Sequence, residues 1–99
     1  LRWSLNQLKK IIRNKKVYLT FDVDGLDTSL MPATGTPEPG GLFWDETIKI
    51  IKIAAQSADI IGADINELSP IKGFDSYNFL AAKLAYKIIT YSFEFKKIR

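Results

Sequence analysis

Two carboxylates at the end of an apolar strand are the side chains most able to do chemistry in this sequence. Asp22 and Asp24 follow the run VYLTF, in which every second residue is apolar. A period of two places alternate side chains on the same face of a strand, so both aspartates are predicted to share a face. Paired carboxylates offer the hard oxygen ligands that Mg²⁺, Mn²⁺ or Ca²⁺ prefer. A simpler alternative is that the two aspartates only end the strand and accept hydrogen bonds from loop N–H groups.

Helices and strands that alternate along the chain would position these side chains. The hydrophobic pattern predicts helices over 1–14, 45–56 and 75–91, strands over 17–24 and 59–65, and a loop over 25–44. This order is typical of an α/β fold with a parallel sheet, in which ligands bind at the carboxyl ends of the strands.

The second strand and the last helix complete these expectations. Asp64 and Glu67 are predicted at the end of the second strand, beside the first pair of acids. The last helix is predicted to bury the stripe formed by Phe79, Ala82, Tyr86 and Ile89, which recurs at helical spacing.

The loop over 25–44 contains four of the six glycines and three of the four prolines. A connection of this length without regular structure is usually functional or disordered. Apolar side chains such as Leu26, Met31 and Leu42 favour an ordered, functional loop. Gly25 is predicted to permit the turn that leaves the strand.

Composition limits the classes of function. The 99 residues suffice for one domain, and the net charge of +3 comes from lysines and arginines near the two ends. We interpret these as solvated helix faces rather than a nucleic-acid surface. No apolar run is long enough to span a bilayer, and the absence of cysteine fits a cytoplasmic location. Because the chain starts at Leu1 within a predicted helix, we expect an N-terminal part of a larger protein to be missing.

Known patterns for the segment DVDGLD can be compared directly. An EF-hand loop requires an acid at its twelfth position, where this chain has Ala33, and it is rejected. The haloacid-dehalogenase phosphatase motif fits better, with Asp22 as nucleophile and Asp24 as acid/base. However, Leu26 stands where that motif usually has Thr, and the motif does not account for TGTPEPGGL.

A longer match comes from the ureohydrolases. The stretch VYLTFDVDGLDTSLMPATGTPEPGGL resembles the C-terminal signature of the arginase and agmatinase family. The resemblance continues in GADINELSP and in FLAAKLAYKII, so that it covers essentially the whole chain. TPEPGGL looks more like agmatinases than arginases.

The resemblance implies a three-layer α/β/α fold on a parallel sheet, of which this chain is the C-terminal part. It implies two Mn²⁺ ions that activate a water for attack on a guanidinium carbon, with release of urea. Asp22 and Asp24 match metal ligands of the family, and Glu67 matches the glutamate that binds the guanidinium group. Thr36 falls near the guanidinium pocket. Asp27 and Asp64 look like residues that orient loop or ligand groups.

Departures from the family pattern qualify this prediction. Thr28 stands where the family usually has Pro, which we expect to loosen the turn. The chain contains no histidine, whereas the family's remaining ligands include histidines from upstream motifs.

From the resemblance we expect a parent enzyme that converts agmatine to putrescine and urea as a trimer or hexamer. Because the histidine ligands are missing, we expect the 99 residues to be inactive alone. The alternative is a non-catalytic structural or assembly fragment.

Overall fold

This computed structural model describes residues 4–96 of the chain, which contain three α-helices and two strands. In chain order they are α1 (Leu5–Ile12), β1 (Lys16–Asp22), a 3₁₀ turn (Val23–Gly25), α2 (Trp44–Ser57), β2 (Asp59–Asn66) and α3 (Ser76–Glu94). The predicted order of elements is confirmed, while the predicted helix start at residues 1–3 lies outside the described part. No helix within 4–96 is long and apolar enough to cross a bilayer.

The two strands pair in parallel and finish side by side. Lys16 lies opposite Asp59 at the start of the ladder, and Asp22 lies opposite Asn66 at its end. The pairing register shifts once, between Val17 and Tyr18, and the strands stay parallel and paired on both sides of this irregularity. The α/β class with a parallel sheet is thereby confirmed, and the carboxyl ends of both strands reach the same edge of the sheet.

One face of the strand pair carries the helices. Leu19 of β1 packs with Ile51 of α2 and with Leu84 and Ile88 of α3. Ile12 of α1 joins a neighbouring cluster on the same face, which contains further α2 residues. Within residues 4–96, the helices and the strand pair therefore supply two of the three layers implied by the family resemblance.

The predicted buried stripe of α3 is wrong. Phe79, Tyr86 and Ile89 are 70%, 62% and 57% exposed, and Ala82 is exposed as well. The residues that α3 buries are Ala81, Leu84 and Ile88. Because α3 is apolar around much of its circumference, two lines of side chains satisfy the helical period, and the line through Leu84 is the one that meets the sheet and α2.

The end of β1 also differs from the prediction. The strand stops at Asp22, not at residue 24, because the backbone N–H of Asp24 donates to Asp22 Oδ1 at 3.0 Å. Such a local side-chain bond competes with the strand ladder and turns the backbone. Asp24 therefore lies in the 3₁₀ turn, so the alternation argument for the two aspartates does not hold. Gly25 is not essential to this turn, since a Cβ built there contacts nothing within 4 Å.

Candidate metal and substrate site

Asp22, Asp24 and Thr36 form a hydrogen-bonded group where β1 ends. Asp24 donates its N–H to Asp22 Oδ1 at 3.0 Å and accepts from the Thr36 hydroxyl through Oδ2 at 2.5 Å. These bonds bring together three of the residues named from the sequence. They also connect the strand end to the Pro/Gly loop, which the sequence alone could not position.

The donors present suit a hard divalent cation. Within residues 4–96, Asp22 Oδ2 and Asp24 Oδ1 have no hydrogen-bond partner, so one oxygen of each carboxylate is free to bind an ion. Carboxylate oxygens of this kind are good ligands for Mn²⁺ or Mg²⁺. In the same part of the chain, no three Asp, Glu, His or Cys side chains come close enough together to hold one ion. The two aspartates are therefore suitable ligands for part of a metal site, and further ligands are required to complete that site.

Glu67 lies directly after β2, beside the end of β1. The register pairs Asp22 with Asn66, so Glu67 follows at the same edge of the sheet. Its backbone has φ of +72°, a left-handed conformation that is costly for a residue with a Cβ. Unfavourable backbone conformations of this kind cluster at functional sites. This conformation directs the backbone out of β2 and leaves Glu67 exposed.

The segment after Glu67 is tied to the Pro/Gly loop. Thr34 and Leu68 form an isolated antiparallel bridge, and the Ser69 N–H donates to the Ala33 carbonyl at 2.7 Å. Thr34 and Ala33 are buried. The loop that carries Thr36 is therefore anchored to the backbone that carries Glu67.

Asp27 organises the start and the end of the loop. Its Oδ2 accepts from the Ser29 hydroxyl at 2.5 Å and from the Ser29 N–H at 2.9 Å. Its Oδ1 accepts from the N–H groups of Gly40 at 2.8 Å and Gly41 at 3.3 Å. Led by the Ser29 hydroxyl, these donors favour the ionised form and lower the pKa of Asp27 from 3.8. The carboxylate of Asp27 therefore holds two segments of the loop together.

Backbone contacts close the loop tightly. A Cβ at Gly41 would lie 2.7 Å from Asp27 N and 2.8 Å from the Gly25 carbonyl oxygen, so only glycine fits there. Thr28 donates its N–H to the Glu38 carbonyl at 3.0 Å. The proline usual in the family could not make this bond. Contrary to the expected loosening, Thr28 ties the two sides of the loop together.

Asp64 lies inside β2 and faces β1 across the exposed side of the sheet. Its carboxylate accepts from the Thr20 hydroxyl at 2.6 Å, the Tyr18 hydroxyl at 3.0 Å and the Asn66 side chain. These donors, with Thr20 the largest contributor, lower the pKa of Asp64. The hydrogen bond to Asp64 raises the pKa of Tyr18. This polar group links the two strands close to their carboxyl ends.

Several of these partners were not singled out from the sequence. Tyr18 and Thr20 share a face of the predicted strand, a signal that could have indicated them, but Asn66 becomes a partner only through the β1–β2 register. Thr34 had no signal beyond its position in the loop. Gly62 lies close to the Tyr18 ring, where an added Cβ would come within 2.9 Å of it.

The parallel α/β architecture and the acid-bearing strand ends define a known class of protein. Residues 1–90 match the model of the arginase family, and the chain belongs to that family. It is 44% identical over 87 residues to the N(1)-aminopropylagmatine ureohydrolase of Synechocystis sp., covering 88% of this chain and 28% of that protein.

Solved structures agree with this assignment. The agmatine ureohydrolase of Thermoplasma volcanium superposes with a TM-score of 0.73 at 32% identity, covering 92% of this chain and 31% of that one. The formiminoglutamase of Trypanosoma cruzi, solved with Mn²⁺, gives a TM-score of 0.64 at 26% identity, over 75% and 26% of the two chains. The predicted ureohydrolase family, most like agmatinase, is confirmed.

The chain spans between a quarter and a third of the length of these proteins. Membership of the arginase family leaves the phosphatase interpretation of DVDGLD without support. The non-catalytic alternative is likewise not favoured, since the matching proteins are named for their hydrolytic activity.

Proposed function

We propose that this chain is the C-terminal part of a Mn²⁺-dependent ureohydrolase that converts agmatine and water to putrescine and urea. The observation that carries the proposal is the parallel register, which sets Asp22 opposite Asn66. Because Glu67 follows Asn66 directly, Asp22 and Glu67 reach the same edge of the sheet. Similarity to an agmatine ureohydrolase and to a Mn²⁺-containing formiminoglutamase supports the choice of substrate and metal.

Asp22 and Asp24 would hold the metal through their unbonded oxygens. Bound Mn²⁺ lowers the pKa of water, which supplies a nucleophile near neutral pH. The chain's own contribution is to fix the two carboxylates before the ion arrives, through the Asp24 N–H bond to Asp22 and the Thr36 hydroxyl bond to Asp24. Preorganised ligands lose less conformational entropy when the metal binds.

Glu67 would bind the guanidinium group of the substrate. A carboxylate accepts two parallel N–H bonds from a guanidinium, which fixes its plane as well as its position. The left-handed φ of Glu67 and the bridge between Thr34 and Leu68 fix the backbone that carries this carboxylate just after the end of β2. The substrate carbon can thereby be oriented towards the metal site.

The remaining parts of the enzyme lie beyond these 99 residues in this proposal. The chain has no histidine, so an imidazole ligand or acid/base must come from elsewhere in the complete protein. We expect the purified 99 residues to release no urea from agmatine. We also expect the complete protein to be a cytoplasmic homo-oligomer, a trimer or hexamer, which size-exclusion chromatography with light scattering measures.

A substrate panel tests the proposal. The complete protein, supplied with Mn²⁺, is assayed for urea release from agmatine, arginine, guanidinobutyrate and N(1)-aminopropylagmatine. Agmatine is expected to give the highest kcat/KM. Preference for N(1)-aminopropylagmatine, as the name of the Synechocystis relative suggests for that protein, would correct the amine side of the substrate. If the complete protein released urea from none of the four compounds, the proposed reaction would be contradicted.

A further inference from the structure

The hydroxyl of Thr36 is committed to Asp24. Thr36 Oγ1 donates to Asp24 Oδ2 at 2.5 Å, across 12 residues of sequence. A threonine hydroxyl has one proton to donate, so in this arrangement it has none left for another acceptor. A guanidinium group offers only donors, so it has no use for that proton and could reach only the lone pairs of Oγ1. The proton of the Thr36 hydroxyl is therefore used at Asp24, while the lone pairs of Oγ1 stay available to a donor.

The position of Thr36 is set from two sides. Its own N–H lies 3.4 Å from the hydroxyl oxygen of Thr34, a long contact that sets the turn between them. Thr34 is buried and bridges to Leu68, which follows Glu67 directly. Thr36 is therefore anchored by the same backbone contacts that anchor the loop to the end of β2.

Asp24 is constrained in the same way. Its N–H is bonded to Asp22 Oδ1, and its Oδ2 is occupied by Thr36, which leaves Oδ1 as the oxygen available to an ion. A carboxylate held by one hydrogen bond has its rotation about the Cβ–Cγ bond restricted. Hydrogen bonds of this kind to metal-binding groups orient the ligand and commonly account for about 10- to 100-fold in metal affinity.

We propose that Thr36 is a positioning residue for the metal site: its hydroxyl holds the Asp24 carboxylate so that Oδ1 faces the ion. The inference rests on the proposed function, in which Asp24 binds metal. It assigns Thr36 to the metal side of the site, whereas the family resemblance alone places it near the guanidinium pocket. In this role Thr36 acts on the metal through Asp24.

Two substitutions separate the hydroxyl from the rest of the side chain. Thr36→Val keeps the β-branched shape and the extended preference that Pro37 requires, but it removes the donor. Thr36→Ser keeps the donor and loses a methyl group. Because Thr36 is exposed, neither change is expected to disturb the core, and thermal unfolding of the metal-free proteins checks this.

The experiment is a Mn²⁺ titration of the complete protein after metal removal, followed by calorimetry, with steady-state kinetics at limiting and saturating Mn²⁺. For Thr36→Val we expect one Mn²⁺ binding step to weaken by about 10- to 100-fold. Its activity should recover at saturating Mn²⁺ with KM for agmatine unchanged. Thr36→Ser should bind Mn²⁺ within a few-fold of the wild type.

Other outcomes have distinct meanings. Wild-type Mn²⁺ affinity in Thr36→Val together with a raised KM would overturn the inference and place the hydroxyl on the substrate. Weakening in Thr36→Ser as severe as in Thr36→Val would also overturn it, because the hydroxyl would not be the cause. A wild-type protein that binds no Mn²⁺ would contradict the proposed function, and the inference with it.

Discussion

Asp22 lies directly opposite Asn66 in the parallel pairing of β1 with β2. Glu67 therefore emerges one residue beyond the ladder, at the edge where Asp22 ends its strand. The polar group around Asp64 fastens the two strands close to that point through hydrogen bonds from Tyr18 and Thr20. A one-residue slip in this register would turn the side chains of β2, Asp64 among them, to the opposite face of the sheet.

The left-handed backbone at Glu67 predicts a conflict between stability and function. Replacing Glu67 with glycine should remove the steric cost of φ near +72° and raise the free energy of unfolding of the complete protein by up to about 1 kcal/mol. Glu67→Ala, which retains the Cβ, is the matched control and should not be stabilised in this way. Both variants should lose urea release while keeping Mn²⁺. Equal stability of the two variants in urea-induced unfolding would contradict the strain at this position.

Gly41 provides a test of the loop closure. A methyl group there would meet backbone atoms of Asp27 and Leu26 at 2.7 Å, so Gly41→Ala should destabilise the protein by about 1 to 3 kcal/mol. Gly35→Ala lies in the same loop, where an added Cβ contacts nothing within 4 Å, and should change stability by less than about 0.5 kcal/mol. Chemical unfolding of both variants provides the measurement. Similar stabilities would show that the loop opens without cost.

The lowered pKa of Asp27 predicts how the thermal stability of the protein changes in acid. Its pKa is lowered by hydrogen bonds from Ser29, Gly40 and Gly41, so its contribution is fully present above its ordinary pKa of 3.8 and is lost as pH falls through the lower folded value. Asp27→Asn should lower Tm at pH 7 and reduce the fall in Tm between pH 5 and pH 2. Asp64→Asn is a useful comparison, since the pKa of Asp64 is also lowered. An Asp27→Asn protein with the same Tm profile as the wild type would contradict this account.

Hydrophobic periodicity was sufficient to predict the order of helices and strands and the parallel sheet. It did not predict where β1 ends, because the Asp24 N–H bond to Asp22 is a local side-chain interaction that leaves no trace in apolar spacing. It also selected the wrong face of α3. That helix carries apolar residues on several sides, and only the packing with α2 and β2 decides which side is buried.

In the candidate site, too, some residues could be predicted from the sequence and some contacts could not. Asp22, Asp24 and Glu67 could be named because residue type, strand position and family resemblance coincide at each of them. The partners of Asp64 and the bond between Thr36 and Asp24 depend on a register and on an irregular loop path, neither of which has a periodic signature. Such contacts between residues far apart in the sequence are set by the three-dimensional fold.

Binding of catalytic Mn²⁺ by Asp22 can be tested by comparing two aspartate substitutions. Mn²⁺ content by mass spectrometry and urea release from agmatine are measured on the complete protein, on Asp22→Asn and on Asp45→Asn. Asp45 is an exposed acid in the first turn of α2, so its substitution removes the same charge away from the site. We expect Asp22→Asn to lose Mn²⁺ and activity together, with Asp45→Asn unchanged. An Asp22→Asn protein with full Mn²⁺ content and full activity would contradict the account.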